Sequence, residues 1–158
     1  MKYTDIQIGF QEFPDEISLL INISNCPFHC YGCHSPELWE DVGEWLDGRS
    51  LSQLIENNKG ITCVGFMGGN PKEILKLAEL TKVGYDLKVG WYWGGNYLPD
   101  NVSDKIFYFD YIKLGPYIME RGGLENPITN QRFYHVEDGV LVDWTHKFNG
   151  NGKRNKEC

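Results

Sequence analysis

The sequence predicts an α/β protein organised on parallel strands. Three observations carry this expectation. Strand-like and helix-like stretches alternate from residue 17 to residue 115, the pattern of βαβ units in a parallel sheet or barrel. Some of the strand-like runs, residues 61–67 above all, are apolar on both sides, as strands covered on two faces are. A strand at residues 17–24 delivers the chain straight into a cysteine-rich loop, and the C-terminal ends of parallel strands are where such folds place their sites.

Composition sets the outer limits. A chain of 158 residues is expected to form one domain with a real core. Hydrophobic residues are 41% and charged residues 23%, both ordinary for a soluble globular protein. The formal net charge of −7 argues against a nucleic-acid phosphate backbone as partner. No apolar run approaches the ~18 residues that a membrane span needs. The start, Met1-Lys2-Tyr3-Thr4-Asp5, lacks the apolar run of a signal peptide. A cytoplasmic protein without membrane contact is the expectation. Residues 1–145 read as a single domain. Residues 146–158, with Lys147, Lys153, Arg154 and Lys156, read as a flexible basic tail.

Each element has its own signal. Residues 5–11 alternate, with Ile6, Ile8 and Phe10 on one side, as in a strand with one wet face. Pro14-Asp15-Glu16 is a turn signal. In residues 17–24 apolar character reaches both faces, so this strand is expected to be more buried. Ser35-Pro36 offers a cap and a proline for the first helical position, and Trp39 and Trp45 read as packing residues. Leu51, Leu54 and Ile55 form the stripe of a helix over 50–58 that Gly60 ends. Cys63 falls inside the buried strand 61–67 and is assigned to the core, where free cysteine is common and inert.

The turn Gly68-Gly69-Asn70-Pro71 follows. Two glycines let a ligand approach the backbone closely, and Asn-Pro suits the start of a helix. The helix over 71–83 has Ile74, Leu75, Leu77, Ala78 and Leu80 on one side and charges on the other. Residues 86–93 form a half-buried strand running into Gly94-Gly95. A short helix is expected near 99–105 and a strand over 106–114. Lys113 lies near the end of that strand, where an ammonium must reach water, a carboxylate or an anionic ligand. Residues 133–136 and 140–144, joined by Glu137-Asp138-Gly139, read as a hairpin.

Three of the five cysteines, Cys26, Cys30 and Cys33, fall within eight residues with spacing C-x3-C-x2-C. Thiolate is the ligand that iron–sulfur clusters and zinc prefer. Three thiolates are one short of a closed site, and an open metal position is a site for chemistry. A disulfide with a spare thiol is one alternative, disfavoured in a reducing compartment. A zinc module of the three cysteines with His29 or His34 is another, although no second knuckle is visible.

The C-x3-C-x2-C spacing of Cys26, Cys30 and Cys33, in the local form Cys30-Tyr31-Gly32-Cys33-His34 with Ser35-Pro36-Glu37-Leu38-Trp39 behind it, resembles the signature of the radical S-adenosylmethionine (SAM) superfamily. Within it the stretch is similar to the activating enzymes of anaerobic ribonucleotide reductase, as is Thr129-Asn130-Gln131-Arg132. Gly68-Gly69-Asn70-Pro71 resembles that family's Gly-Gly-Glu-Pro motif, with a neutral amide in place of the acid. The resemblance implies an incomplete parallel β/α barrel. It implies that Cys26, Cys30 and Cys33 hold a [4Fe-4S] cluster. It places Gly32, Cys33, His34, Gly68, Gly69, Asn70 and Lys113 at the cofactors, with no catalytic residue beyond the cluster and SAM. The implied activity is reductive cleavage of SAM to raise a glycyl radical on the large subunit of an anaerobic ribonucleotide reductase, fed by a low-potential donor such as flavodoxin. Another glycyl-radical activase, or a small-molecule radical SAM enzyme such as a deazapurine synthase, would share the same cluster motif.

Overall fold

A computed structural model describes residues 1–150. Cys158 and most of the expected basic tail lie outside the described residues.

The fold is a mixed eight-stranded sheet in the order β3-β1-β2-β4-β5-β6-β7-β8. Its centre is parallel. Strand β2 (Ser18–Ile23) pairs with β4 (Cys63–Met67), β4 with β5 (Lys88–Tyr92), and β5 with β6 (Tyr111–Leu114). Helices α1 (Gly48–Asn57), α2 (Pro71–Glu79) and the single turn α3 (Asp100–Ser103) make the three crossovers. Both flanks are antiparallel. Strand β1 (Lys2–Gly9) pairs with β2 on one side and with the two-residue β3 (Glu44–Trp45) on the other. Strands β7 (Arg132–Glu137) and β8 (Val140–Asp143) extend the sheet beyond β6. The last turn, α4 (His146–Asn149), sets Phe148 against Phe133 with ring centroids 4.6 Å apart.

This corrects the expected incomplete parallel β/α barrel. The sheet is open and mixed, and most of its helices are short. The reason lies between β6 and β7. A further parallel strand needs a crossover, usually a helix. Residues 115–131 carry Gly115-Pro116, Gly122-Gly123 and Asn126-Pro127 and form no helix. The chain therefore returns beside β6 in the opposite direction. The expected strand over 106–114 is also shorter, because Ile106–Tyr108 winds into a 3-10 turn. Trp45, read as a packing residue, is 69% exposed. It sits on the edge strand with the Lys2 ammonium 5.2 Å above its ring.

Alternation along the central strands divides the core in two. Leu19, Ile21 and Ile23 of β2, Val64 and Phe66 of β4, and Val89 and Trp91 of β5 pack with Leu51 and Ile55 of α1 and Ile74 and Leu77 of α2. The opposite face gathers Leu20, Cys63, Tyr111 and Phe133 around Phe13. Phe13 is fully buried and lies over Gly65 and Gly90, neighbours across β4 and β5.

Beneath this second cluster, the Glu16 carboxylate is buried and ties several elements together. It accepts hydrogen bonds from Thr62 Oγ1 at 2.6 Å and Tyr111 Oη at 2.7 Å and pairs with the Lys88 ammonium. Burial pushes its carboxyl up, but the bonds from Lys88, Thr62 and Tyr111 outweigh it and hold the group below the ordinary carboxylate range. A depressed folded value means that this stabilisation is present above the unfolded value of about 4.3 and is lost as pH falls through the folded one. Thermal midpoints measured from neutral to acidic pH should therefore fall less steeply for Glu16→Gln than for the wild type. Parallel slopes would remove Glu16 from the acid sensitivity.

Candidate metal centre

The four parallel strands end at one cavity of about 170 Å³, and the sequence of each strand end shapes it. Strand β2 contributes Ile23, β4 Met67, and β5 Tyr92, while β6 contributes Lys113. Cys26, Cys30 and Cys33 line the same cavity. All three are half-buried free thiols.

The loop that carries them is held by backbone geometry. At its neck, Asn25 N–H donates to Glu40 O at 3.0 Å and Cys26 N–H to Leu38 O at 2.9 Å. Inside, Cys33 N–H donates to Cys30 O at 3.0 Å and Ser35 N–H to Cys33 Sγ at 3.4 Å. Asn25, His29 and Gly32 have positive φ of 60°, 43° and 73°, which bend the chain tightly enough to turn three thiols inward. A 3-10 turn, Pro36–Trp39, leads the loop away. The segment after β6 clasps it from outside. Tyr117 Oη lies 3.3 Å from His34 Nε2. At Gly32 a Cβ would press on Met119 Sδ at 2.9 Å, and the positive φ of 73° independently favours glycine.

The expected site residues divide among three adjoining spaces. Gly68, Gly69 and Lys113 join the cysteines at the cavity. Gly69 has φ 101°, and a Cβ there would approach Ile74 Cδ1 to 2.8 Å, so both backbone and space require glycine. Asn70 faces the neighbouring cleft, which also contains Asp41 and Glu73. Its Oδ1 caps α2, accepting from Lys72 N–H at 3.0 Å and Glu73 N–H at 3.4 Å. His34 lines a larger cleft of about 720 Å³ that shares Tyr92, Lys113, Tyr117 and Gln131 with the cavity.

Lys113 is buried between the cavity and this larger cleft. Its Nζ donates to Gly115 O at 3.0 Å and lies 5.5 Å from the Tyr92 ring centroid. Burial pulls its ammonium down to about 8, against the opposing charge of Cys30, Cys26 and Cys33. Tyr92, Tyr117 and Gln131 belong to the site and were missed as site residues in the sequence. The Thr-Asn-Gln-Arg stretch was the one signal, pointing at Gln131. The remaining cysteine of the described chain, Cys63, is fully buried, and burial pushes its thiol far up.

Three half-buried thiols on one loop at one cavity are a donor set that an iron–sulfur cluster takes. Among the described residues no group of three His, Cys, Asp or Glu side chains draws together around one metal ion. A cubane cluster takes each thiolate on a different iron, so its ligands surround a volume rather than a point. A model of the 4Fe-4S single cluster domain matches residues 17–112, from the start of β2 into β6. The chain belongs to the 4Fe-4S single cluster domain family. Neither the curated proteins nor the solved structures give a match. The matched stretch contains the three loop cysteines, both glycines of the turn, strands β2, β4 and β5, and the first two residues of β6 of this 4Fe-4S domain. Among its described residues no helix is long and apolar enough to cross a membrane.

Proposed function

We propose that this 4Fe-4S protein is a radical SAM activase acting on an anaerobic ribonucleotide reductase. The observation that carries the reading is the convergence of Cys26, Cys30 and Cys33 with the Gly68-Gly69 turn on one cavity. Three protein thiolates leave one iron of a cubane for a substrate, and a glycine turn lets that substrate lie against the backbone. When bound, the cluster supplies one electron that breaks the sulfonium–adenosyl bond of SAM, so that methionine leaves and 5′-deoxyadenosine forms by taking a hydrogen atom from a glycine of the reductase.

The chain's own residues bind and shield. Cys26, Cys30 and Cys33 ligate. Gly68 and Gly69 keep side chains out of the space beside them. Lys113 presents a cation to an anionic group, and its buried setting strengthens such a contact. Ile23, Met67, Tyr92 and Trp93 give the cavity apolar walls that limit water. The larger cleft continues from it past Glu12 and Glu125, and leaves room for a segment of a protein partner. A low-potential donor such as flavodoxin would supply the electron.

The test mixes anaerobically reconstituted protein with SAM, a low-potential reductant and an anaerobic ribonucleotide reductase from the same cell. The expected result is a glycyl-radical doublet by electron paramagnetic resonance, with oxygen then cutting the reductase at that glycine. SAM cleavage without a protein radical, while a small molecule is consumed, would favour a different radical SAM reaction. No SAM cleavage by a protein that holds its cluster would end the reading.

A further inference from the structure

One of the residues that line the cluster cavity carries an unmatched hydrogen-bond donor. Trp39 lines the cavity, and its indole N–H is buried without an acceptor among the described residues. Buried N–H groups are nearly always paired, so an orphan beside a binding cavity points to an acceptor that the chain does not itself supply. Trp91 makes the contrast. Its Nε1–H, behind the same cavity, donates to Gly68 O at 2.9 Å.

The Trp39 indole is also held in place. The His29 ring stacks on it with centroids 5.0 Å apart and planes 16° from parallel. Its backbone belongs to the Pro36–Trp39 turn, where Leu38 N–H donates to Ser35 O at 3.1 Å. Leu38 O is in turn bonded to Cys26 N–H at 2.9 Å, so the turn that carries Trp39 is tied directly to a cysteine of the site.

We propose that the indole N–H of Trp39 donates a hydrogen bond to a sulfur of the bound [4Fe-4S] cluster and raises the cluster's reduction potential. Reduction adds negative charge to the sulfurs, so a fixed N–H dipole stabilises the reduced form more than the oxidised one. Ser35 N–H, at 3.4 Å from Cys33 Sγ, acts in the same direction from the backbone. Trp39 is the side-chain contribution, and hence the one that substitution can remove. The inference rests on the cluster alone and not on SAM chemistry, so it stands or falls independently of the proposed reaction.

Trp39→Phe keeps a ring for His29 to stack on and deletes the N–H. The reconstituted variant, titrated with dithionite without SAM and followed by the spectrum of the reduced cluster, should hold wild-type iron and sulfide. It should be about tenfold harder to reduce, a fall of about 59 mV for one electron. A potential equal to the wild type's would overturn the proposal. A second measurement covers a variant that loses its cluster. Wild-type protein with ¹⁵N-indole tryptophan should show one indole nitrogen and its exchangeable proton coupled to the spin of the reduced cluster. That coupling should persist in Trp93→Phe, since Trp93 is the other cavity-lining tryptophan. Absence of any coupled indole N–H, or its loss in Trp93→Phe, would overturn the assignment to Trp39.

Discussion

Alanine at any one of Cys26, Cys30 or Cys33 is expected to abolish the reconstituted cluster, read as loss of iron, sulfide and broad visible absorption. The three line one cavity, and the described residues offer no fourth cysteine there. Cys63 cannot substitute. It is the first residue of β4, whereas the cavity gathers at the ends of the parallel strands, and it is fully buried in the cluster around Phe13. Its thiol is also held protonated by burial, and a protonated thiol is not a ligand. Cys63→Ala and Cys158→Ala should therefore retain the wild-type iron content. Equal iron loss in Cys63→Ala would overturn the ligand assignment.

The largest expected effect on stability lies at the opposite face. Phe13→Ala should destabilise the protein by about 3–5 kcal/mol, the range for removing a fully buried phenylalanine. The ring fills a groove whose floor is Gly65 and Gly90. A Cβ at either glycine would run into it, so Gly90→Val should destabilise by overpacking and by displacing Phe13. Denaturant unfolding measures both. The double variant Phe13→Ala/Gly90→Val should lose much less than the sum, because valine would occupy the space that the ring vacates. Additive losses would show that ring and glycine are not packed as described.

Much of the element order was legible because hydrophobic periodicity is local. Leu51, Leu54 and Ile55 mark α1 and Ile74, Leu77 and Ala78 mark α2, and each stripe is readable without knowing what lies opposite. The cysteine loop was legible for the same reason. Strand pairing was not. Whether β7 runs with or against β6 depends on residues 115–131, which fold back through a short bridge between Ile118 and Gly122 rather than through a helix. That segment has no period to read, and so its contribution of Tyr117 and Met119 to the cysteine loop was invisible. Trp45 misled because an indole is apolar by composition, while a two-residue edge strand gives it little to pack against. Asn70 carried two compatible readings, cap and ligand contact, and its hydrogen bonds at 3.0 and 3.4 Å to α2 use it as a cap.

The neck of the cysteine loop has a consequence for how such a domain can diversify. Asn25 is tied to Glu40 and Cys26 to Leu38, so the loop leaves and rejoins the fold at nearly one point. Whatever is spliced in or trimmed between those ties need not alter the register of β2 against β1 or β4, because both ends of the excursion stay fixed. The sheet is thus a socket, and the metal-bearing segment an exchangeable insert. Homologous domains could trade inserts of different length and chemistry while inheriting the same framework.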